Sequence, residues 1–173
     1  MTTTPENIDL LIEARWIAAI DPDVVYTNHA VAVNEGRILD ILPSNQARSR
    51  YQAKERITLD EHILIPGLIN LHTHAAMSLM RGMADDLPLM EWLQKHIWPT
   101  EAAHASAQFV HDGTLLACAE MLKGGITCFN DMYFYPEAAA AAASRLGMRA
   151  MLGITALEFP TPYASDADDY LNK

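Results

Sequence analysis

The fold of this chain is decided by a stretch that reads ILIPGLINLHTH, at residues 63–74. An apolar run is broken by a Pro-Gly pair, resumes as LINL and ends in His-Thr-His. Side chains on a β-strand alternate between its two faces. His72 and His74 are therefore predicted to point to the same side, with Thr73 on the opposite side. Two neighbouring neutral imidazoles are suited to one divalent cation, such as zinc, iron or nickel.

The His-x-His pair has two possible interpretations, a metal site or two ordinary surface histidines. A catalytic zinc usually takes three protein ligands and keeps one position open, so further ligands would have to come from elsewhere in the fold. The pair follows an apolar run and precedes a methionine-rich loop at 77–83. The C-terminal end of a strand is where a β/α barrel places its chemistry. This context favours the metal site.

The rest of the chain alternates between strand-like and helix-like patterns. Strands are predicted at 9–17, 24–33 and 38–42, with a hairpin turn at 34–37, so the region up to about residue 64 is expected to be all-β. Further strands are predicted at 126–132 and 149–154, with helices at 104–122 and from 136 onwards. This alternation fits either a barrel or a doubly wound sheet. Neither GxGxxG nor GxxxxGK(S/T) is present, and the terminal His-x-His favours the barrel.

Several local features of the sequence lead to separate predictions for residues 88–131. A short helix over 88–96 is predicted to end at Trp98-Pro99, with Thr100 capping the next helix. His104 and His111 are seven residues apart and are expected on one helix face, where packing or solvation is favoured over a ligand pair. Asp131, at the end of a predicted strand, is expected to accept hydrogen bonds from loop backbone or from neighbouring polar groups.

Composition excludes several functional classes. The 173 residues are half hydrophobic and carry a formal net charge of −10, which argues against nonspecific nucleic-acid binding. No cluster of lysine and arginine suggests a membrane surface, and no apolar stretch is long enough to span a bilayer. The N-terminus lacks signal-peptide features, so a cytoplasmic location is expected. The two cysteines, Cys118 and Cys128, are predicted to be reduced thiols in a core.

A family resemblance is carried by the metal stretch and its continuation. Residues 66–74 resemble the first-strand metal motif of the amidohydrolase superfamily. Residues 75–93, AAMSLMRGMADDLPLMEWL, and residues 97–101, IWPTE, narrow the match. Together they resemble the 5-methylthioadenosine/S-adenosylhomocysteine deaminases and the related triazine chlorohydrolase-like enzymes. The match extends from about residue 60 to the end of the sequence.

The resemblance implies an α/β fold, the N-terminal part of a metal-dependent (β/α)8 barrel preceded by strands of a small β-sandwich domain. Residues 1–64 would form part of that composite domain, and residues 65–173 the first β/α units. A complete barrel takes about 250 residues, so the chain is expected to be one portion of a longer enzyme. The remainder of the polypeptide or a homo-oligomer would then be its partner.

The activity implied is zinc-dependent hydrolytic deamination of 5-methylthioadenosine, S-adenosylhomocysteine or a similar nucleoside, with iron or manganese as alternative metals. His72 and His74 would be metal ligands, and the catalytic acid–base residues would lie downstream of this chain. Glu101 would bind ribose hydroxyls, although a carboxylate there could instead stabilise a helix N-terminus. The alternatives are a guanine or triazine deaminase or chlorohydrolase, and an inactive fragment. The isolated 173-residue chain is expected to be inactive.

Overall fold

The computed structural model describes residues 4–173. The chain divides into two compact units, and the boundary in the sequence falls between Pro66 and Gly67. The first unit contains strands β1 (Glu6–Ala18), β2 (Val25–Asn34), β3 (Arg37–Pro43) and β4 (Tyr51–Leu64), with helix α1 (Ser44–Arg50) between the last two. The second unit contains strands β5 (Leu68–Thr73), β6 (Ile126–Met132) and β7 (Arg149–Gly153). Its helices are α2 (Leu89–Trp92), α3 (Trp98–His104), α4 (Ala107–Lys123), α5 (Pro136–Arg145) and α6 (Ala167–Leu171).

The first unit is a four-stranded sheet in the order β3-β2-β1-β4. The β2–β3 hairpin turns at Glu35 and Gly36, both with positive φ, as a tight two-residue turn requires. Strand β4 runs parallel to β1 at the edge of the sheet and is not among the predicted strands. Whether this sheet belongs to a composite β-sandwich domain stays a prediction.

The second unit contains a parallel sheet in the order β5-β6-β7. The long helix α4 connects β5 to β6, and α5 connects β6 to β7. Side chains from Phe129 on β6, Cys118 and Met121 on α4, and Ala143 on α5 form the core between sheet and helices. The predicted β/α alternation is confirmed. Both cysteines are free, and Cys118 is buried in this core, as expected, whereas Cys128 is half-buried and is not part of the core cluster.

At Gly113, helix α4 packs closely against the turn that follows β5. A Cβ atom added at Gly113 would lie 2.4 Å from the carbonyl oxygen of Ala76. Ala76 belongs to a 3-10 turn, Ala75–Met80, that directly follows His74. Because Gly113 has no side chain, the backbone after His74 can lie directly against the helix.

Among residues 4–173, no helix is long and apolar enough to cross a membrane.

Two local predictions around α3 are wrong. The helical backbone continues from α2 through a π-helical turn, Leu93–Ile97, directly into α3, so Pro99 does not end it. Proline is tolerated in a first turn, where its missing N–H is not needed. Thr100 is no cap, since its hydroxyl donates to the carbonyl oxygen of His96. Helix α4 is capped by Ser106, which accepts from the N–H of Phe109.

The break at Ser106 also separates two histidines. His104 is the last residue of α3, whereas His111 lies in α4. The expectation that they share one helix face is therefore wrong. His111 instead contacts Asp112, with 3.0 Å between Nδ1 and Oδ1.

Candidate active site

Two histidines, separated by one residue, lie at the C-terminal end of strand β5. The ring centroids of His72 and His74 are 5.1 Å apart and the rings are nearly perpendicular. The Nδ1 atom of His74 donates to the carbonyl oxygen of Met132 at 2.6 Å, because a carbonyl can only accept. This bond fixes the tautomer and leaves Nε2 of His74 as the nitrogen with a free lone pair. A hydrogen bond from one ring nitrogen commonly orients a histidine that binds a metal through the other nitrogen.

Asp131 on β6 accepts hydrogen bonds from the residues on both sides of His74. Its Oδ1 atom accepts a hydrogen bond from the hydroxyl of Thr73 at 2.7 Å and another from the N–H of Ala75 at 2.8 Å. Asp131 is buried, with 3% exposure. The expectation that it accepts bonds from loop backbone and neighbouring polar groups is confirmed. Thr73 therefore lies beside Asp131 of β6.

A cavity of about 190 Å³ opens beside His74. We call it the His74–Glu101 cavity, and its lining includes His74, Trp92, Trp98, Glu101, Tyr133 and Thr155. Trp92 ends helix α2, and Trp98 and Glu101 lie on helix α3. A single cavity thus has an imidazole and a carboxylate in walls that are otherwise largely aromatic and aliphatic.

Burial governs the electrostatics of Glu101, which is 8% exposed. Loss of hydration raises its pKa above the ordinary value, while a hydrogen bond from Tyr133 and the nearby His74 act to lower the pKa. The Tyr133 hydroxyl donates to Oε1 of Glu101 at 2.8 Å. Burial, followed by the charge of Glu101, raises the pKa of Tyr133, so this phenol remains a donor.

The structure brings some of the predicted site residues together. His74 and Glu101 line the same cavity, whereas His72 is more exposed and lies beside His74 outside the cavity lining. Two cavity residues, Tyr133 and Thr155, were not among the predicted site residues. Tyr133 lies 32 positions from Glu101, and no local pattern signals that contact. Thr155, just after β7, has a buried hydroxyl without a hydrogen-bond partner among residues 4–173, and its place at a strand end was the available signal.

The donor set fits part of a metal centre. Within residues 4–173, no group of three or more histidine, cysteine, aspartate or glutamate side chains is placed to hold a metal ion. Two histidines, one of them oriented through its second nitrogen, match two ligands of a zinc-type site. The remaining ligands would have to come from other segments.

A larger cavity, about 640 Å³, lies within the first unit and is not the candidate site. Its buried carboxylate, Glu13, is already paired with Arg48 at 2.5 Å and Arg56 at 3.5 Å. Arg15, also in its lining, stacks on the ring of Trp16. The charge of Glu13 is therefore matched by two arginines, and the lining contains neither the histidine pair nor Glu101.

The family follows from comparison with known proteins. Residues 63–172 match the model of the amidohydrolase family, a range that includes the histidine pair, Glu101 and Asp131. The chain belongs to the amidohydrolase family. The resemblance read from residues 66–101 is thereby confirmed.

The curated relatives are named for nucleoside deamination. The chain is 53% identical over 172 residues to the 5-methylthioadenosine/S-adenosylhomocysteine deaminase of Saccharophagus degradans, covering 99% of this chain and 39% of the relative. It is 42% identical over 161 residues to the 5'-deoxyadenosine deaminase of Methanosarcina acetivorans, covering 92% of this chain and 36% of the relative. The chain therefore spans well under half the length of these relatives.

Solved structures support the fold. An adenosine deaminase from Xanthomonas campestris, crystallised with bound zinc, matches with a TM-score of 0.94 and 49% identity over 98% of this chain and 39% of that one. A zinc-bound atrazine chlorohydrolase from Arthrobacter aurescens matches with a TM-score of 0.77 at 20% identity over 87% of this chain and 36% of that one, which speaks for the fold alone. The predicted fold class, the N-terminal portion of an amidohydrolase barrel, is confirmed.

Proposed function

We propose that the protein carrying this chain is a zinc-dependent deaminase of adenosine-type nucleosides, with 5-methylthioadenosine or S-adenosylhomocysteine as substrate and ammonia as a product. The observation that carries the proposal is that His74 and Glu101 line one cavity. A nucleoside has a purine ring at one end and a sugar diol at the other. A site for it needs a hydrolytic centre and a hydroxyl-binding group within one ligand length.

The two histidines are proposed as zinc ligands, with iron and manganese as alternatives. A bound divalent cation would supply the Lewis acid that activates water for hydrolysis. The hydrogen bond from His74 to Met132, and those from Thr73 and Ala75 to Asp131, would hold the ligands in place. His72→Ala or His74→Ala in the full-length protein should remove tightly bound metal and turnover together. Turnover with normal metal content would contradict the metal assignment.

Glu101 is proposed to bind the ribose diol. A carboxylate can accept a hydrogen bond from each of two adjacent hydroxyls. Oε1 is already engaged by Tyr133, and Oε2 accepts no hydrogen bond from residues 4–173. The two tryptophans of the cavity provide flat apolar surfaces for a purine. The chain's own residues would therefore bind and orient the substrate and keep water from its sugar.

The deciding experiment measures ammonia release by the full-length, zinc-loaded protein. Glu101→Gln should raise KM for 5-methylthioadenosine by about 10- to 100-fold, the value of hydrogen bonds to a charged group, and should affect a free base far less. Glu91→Gln is the matched control, because Glu91 is paired with Lys95 on the same helical stretch. Equal losses for nucleoside and base would contradict the diol assignment. Turnover of guanine or a triazine without turnover of nucleosides would favour the alternative hydrolases.

Further parts of the proposal concern location and assembly. The described residues offer only two clustered metal-ligand candidates, so the isolated chain is expected to bind zinc weakly and to be inactive. A cytoplasmic location, and assembly as a homo-oligomer or with the remaining polypeptide, stay predictions from the sequence.

A further inference from the structure

The end of strand β6 contacts both halves of the candidate site through three consecutive residues. Asp131 bonds to Thr73 and Ala75, the carbonyl oxygen of Met132 accepts from His74, and Tyr133 donates to Glu101. The first two contacts belong to the histidine side of the cavity. The third contact connects this strand end to the carboxylate of Glu101 on α3.

Tyr133 is held firmly in this position. It is 7% exposed, its ring centroid lies 4.9 Å from that of Phe134, and 6.3 Å from that of His74. A phenol fixed by packing on two sides has little freedom to move away from Glu101. Its hydroxyl therefore sets the rotation of the carboxylate about its terminal bond, which is otherwise soft.

The orientation of Glu101 leaves one oxygen for a ligand. Oε1 accepts from Tyr133, while Oε2 has no donor among the described residues. A carboxylate that was free to rotate would lose part of its binding energy in becoming ordered around a diol. One that is already fixed presents Oε2 without that loss.

We propose that Tyr133 is a positioning residue for nucleoside binding, which aims Oε2 of Glu101 at the 2'- and 3'-hydroxyls of the substrate. This inference rests on the proposed function and adds to it the residue on which diol selectivity depends. Tyr133 acts through Glu101 and touches no reacting atom in this role. Its contribution therefore belongs to substrate binding and not to the chemical step.

The experiment is steady-state kinetics of the full-length, zinc-loaded protein with adenosine and with 2',3'-dideoxyadenosine, which lacks both hydroxyls. Tyr133→Phe should raise KM for adenosine about tenfold and change kcat by less than about twofold, because a uniform binding contribution is lost. KM for the dideoxy compound should not change. Tyr135→Phe is the control, since the Tyr135 hydroxyl donates to the carbonyl oxygen of Pro162 and leaves Glu101 untouched.

A double-mutant cycle tests whether Tyr133 changes KM by acting through Glu101. In a Glu101→Ala background, Tyr133→Phe should have no further effect on KM for adenosine, because the group it positions is gone. An additive effect, or an equal rise of KM for both nucleosides, would show a merely structural role and overturn the inference. If wild-type protein deaminates no adenosine-type nucleoside, the proposed function fails and this inference with it. If Glu101→Gln discriminates the diol and Tyr133→Phe does not, this inference alone fails.

Discussion

Replacing Gly113 by alanine tests whether the helix α4 contact supports the histidine site. The added Cβ would lie 2.4 Å from the oxygen and 2.8 Å from the Cα of Ala76, and real Cβ atoms keep at least 3.0 Å from such neighbours. Helix or turn must therefore move by at least 0.6 Å, the difference between 3.0 and 2.4 Å. Both partners are backbone, so no side chain can rotate away. The displaced turn begins at Ala75, directly after His74.

The expected change in the free energy of unfolding follows from two opposing contributions. Overpacking of a rigid contact costs up to about 3 kcal/mol, and alanine gains about 1 kcal/mol over glycine in a helix, which leaves about 2 kcal/mol of destabilisation. Displacement of catalytic groups by 1 Å costs about 100-fold, so a smaller shift should lower kcat/KM about tenfold. Denaturant unfolding, zinc content and ammonia release of the full-length protein measure these effects.

The control for this substitution lies at the C-terminal cap of the same helix. Gly124→Ala places a Cβ 3.5 Å from its neighbours at a φ of −85°, an ordinary contact in an ordinary conformation. Its stability and activity should match those of wild-type protein. If Gly113→Ala unfolds at the same denaturant concentration as Gly124→Ala and keeps full activity, the argument that this close approach positions the turn is refuted.

Other predictions concern individual buried groups. Asp131→Ala should destabilise the protein by about 1–3 kcal/mol in denaturant unfolding, because the buried N–H of Ala75 loses its acceptor, and Asp131→Asn should recover most of that loss. Thr155→Val should raise stability by about 1 kcal/mol in the same assay, because it removes a buried hydroxyl without a partner, and a loss would contradict this. Glu13→Gln should lower the denaturation midpoint at pH 7. The hydrogen bond from Arg48 lowers the pKa of Glu13 below 4.5, so this carboxylate's contribution is complete above pH 4.5 and is lost as the pH falls through the lowered pKa. Wild-type and variant midpoints should therefore converge in acid, and a constant difference would argue against the ion pair as the cause.

Strong local signals made part of the structure predictable. The Pro-Gly break and the apolar run placed β5, Gly124 ended α4, and proline at the first turn began α5. These features act through backbone geometry over a few residues. The resemblance then supplied the role expected of Glu101, which spacing alone would have assigned to a helix terminus.

The misses arise where tertiary contacts override local preference. Pro99 looked like the end of a helix, yet a π-helical turn passes the backbone into α3. Strand β4 was not among the predicted strands, because its pairing with β1 is visible only in three dimensions. The contact between Tyr133 and Glu101 depends on where α3 packs against the end of β6, and nothing within a few residues of either encodes it.

The contacts of residues 131–133 suggest how this scaffold could be engineered. His74 and its two neighbours are held from β6, whereas Trp92 and Trp98 come from the helical segment before α4. A mutant library confined to residues 87–100 would vary the walls around the substrate and leave the strand-end contacts unchanged. Selection for altered substrates should therefore recover active clones more often from such a library than from one of equal size at 70–75 and 129–133.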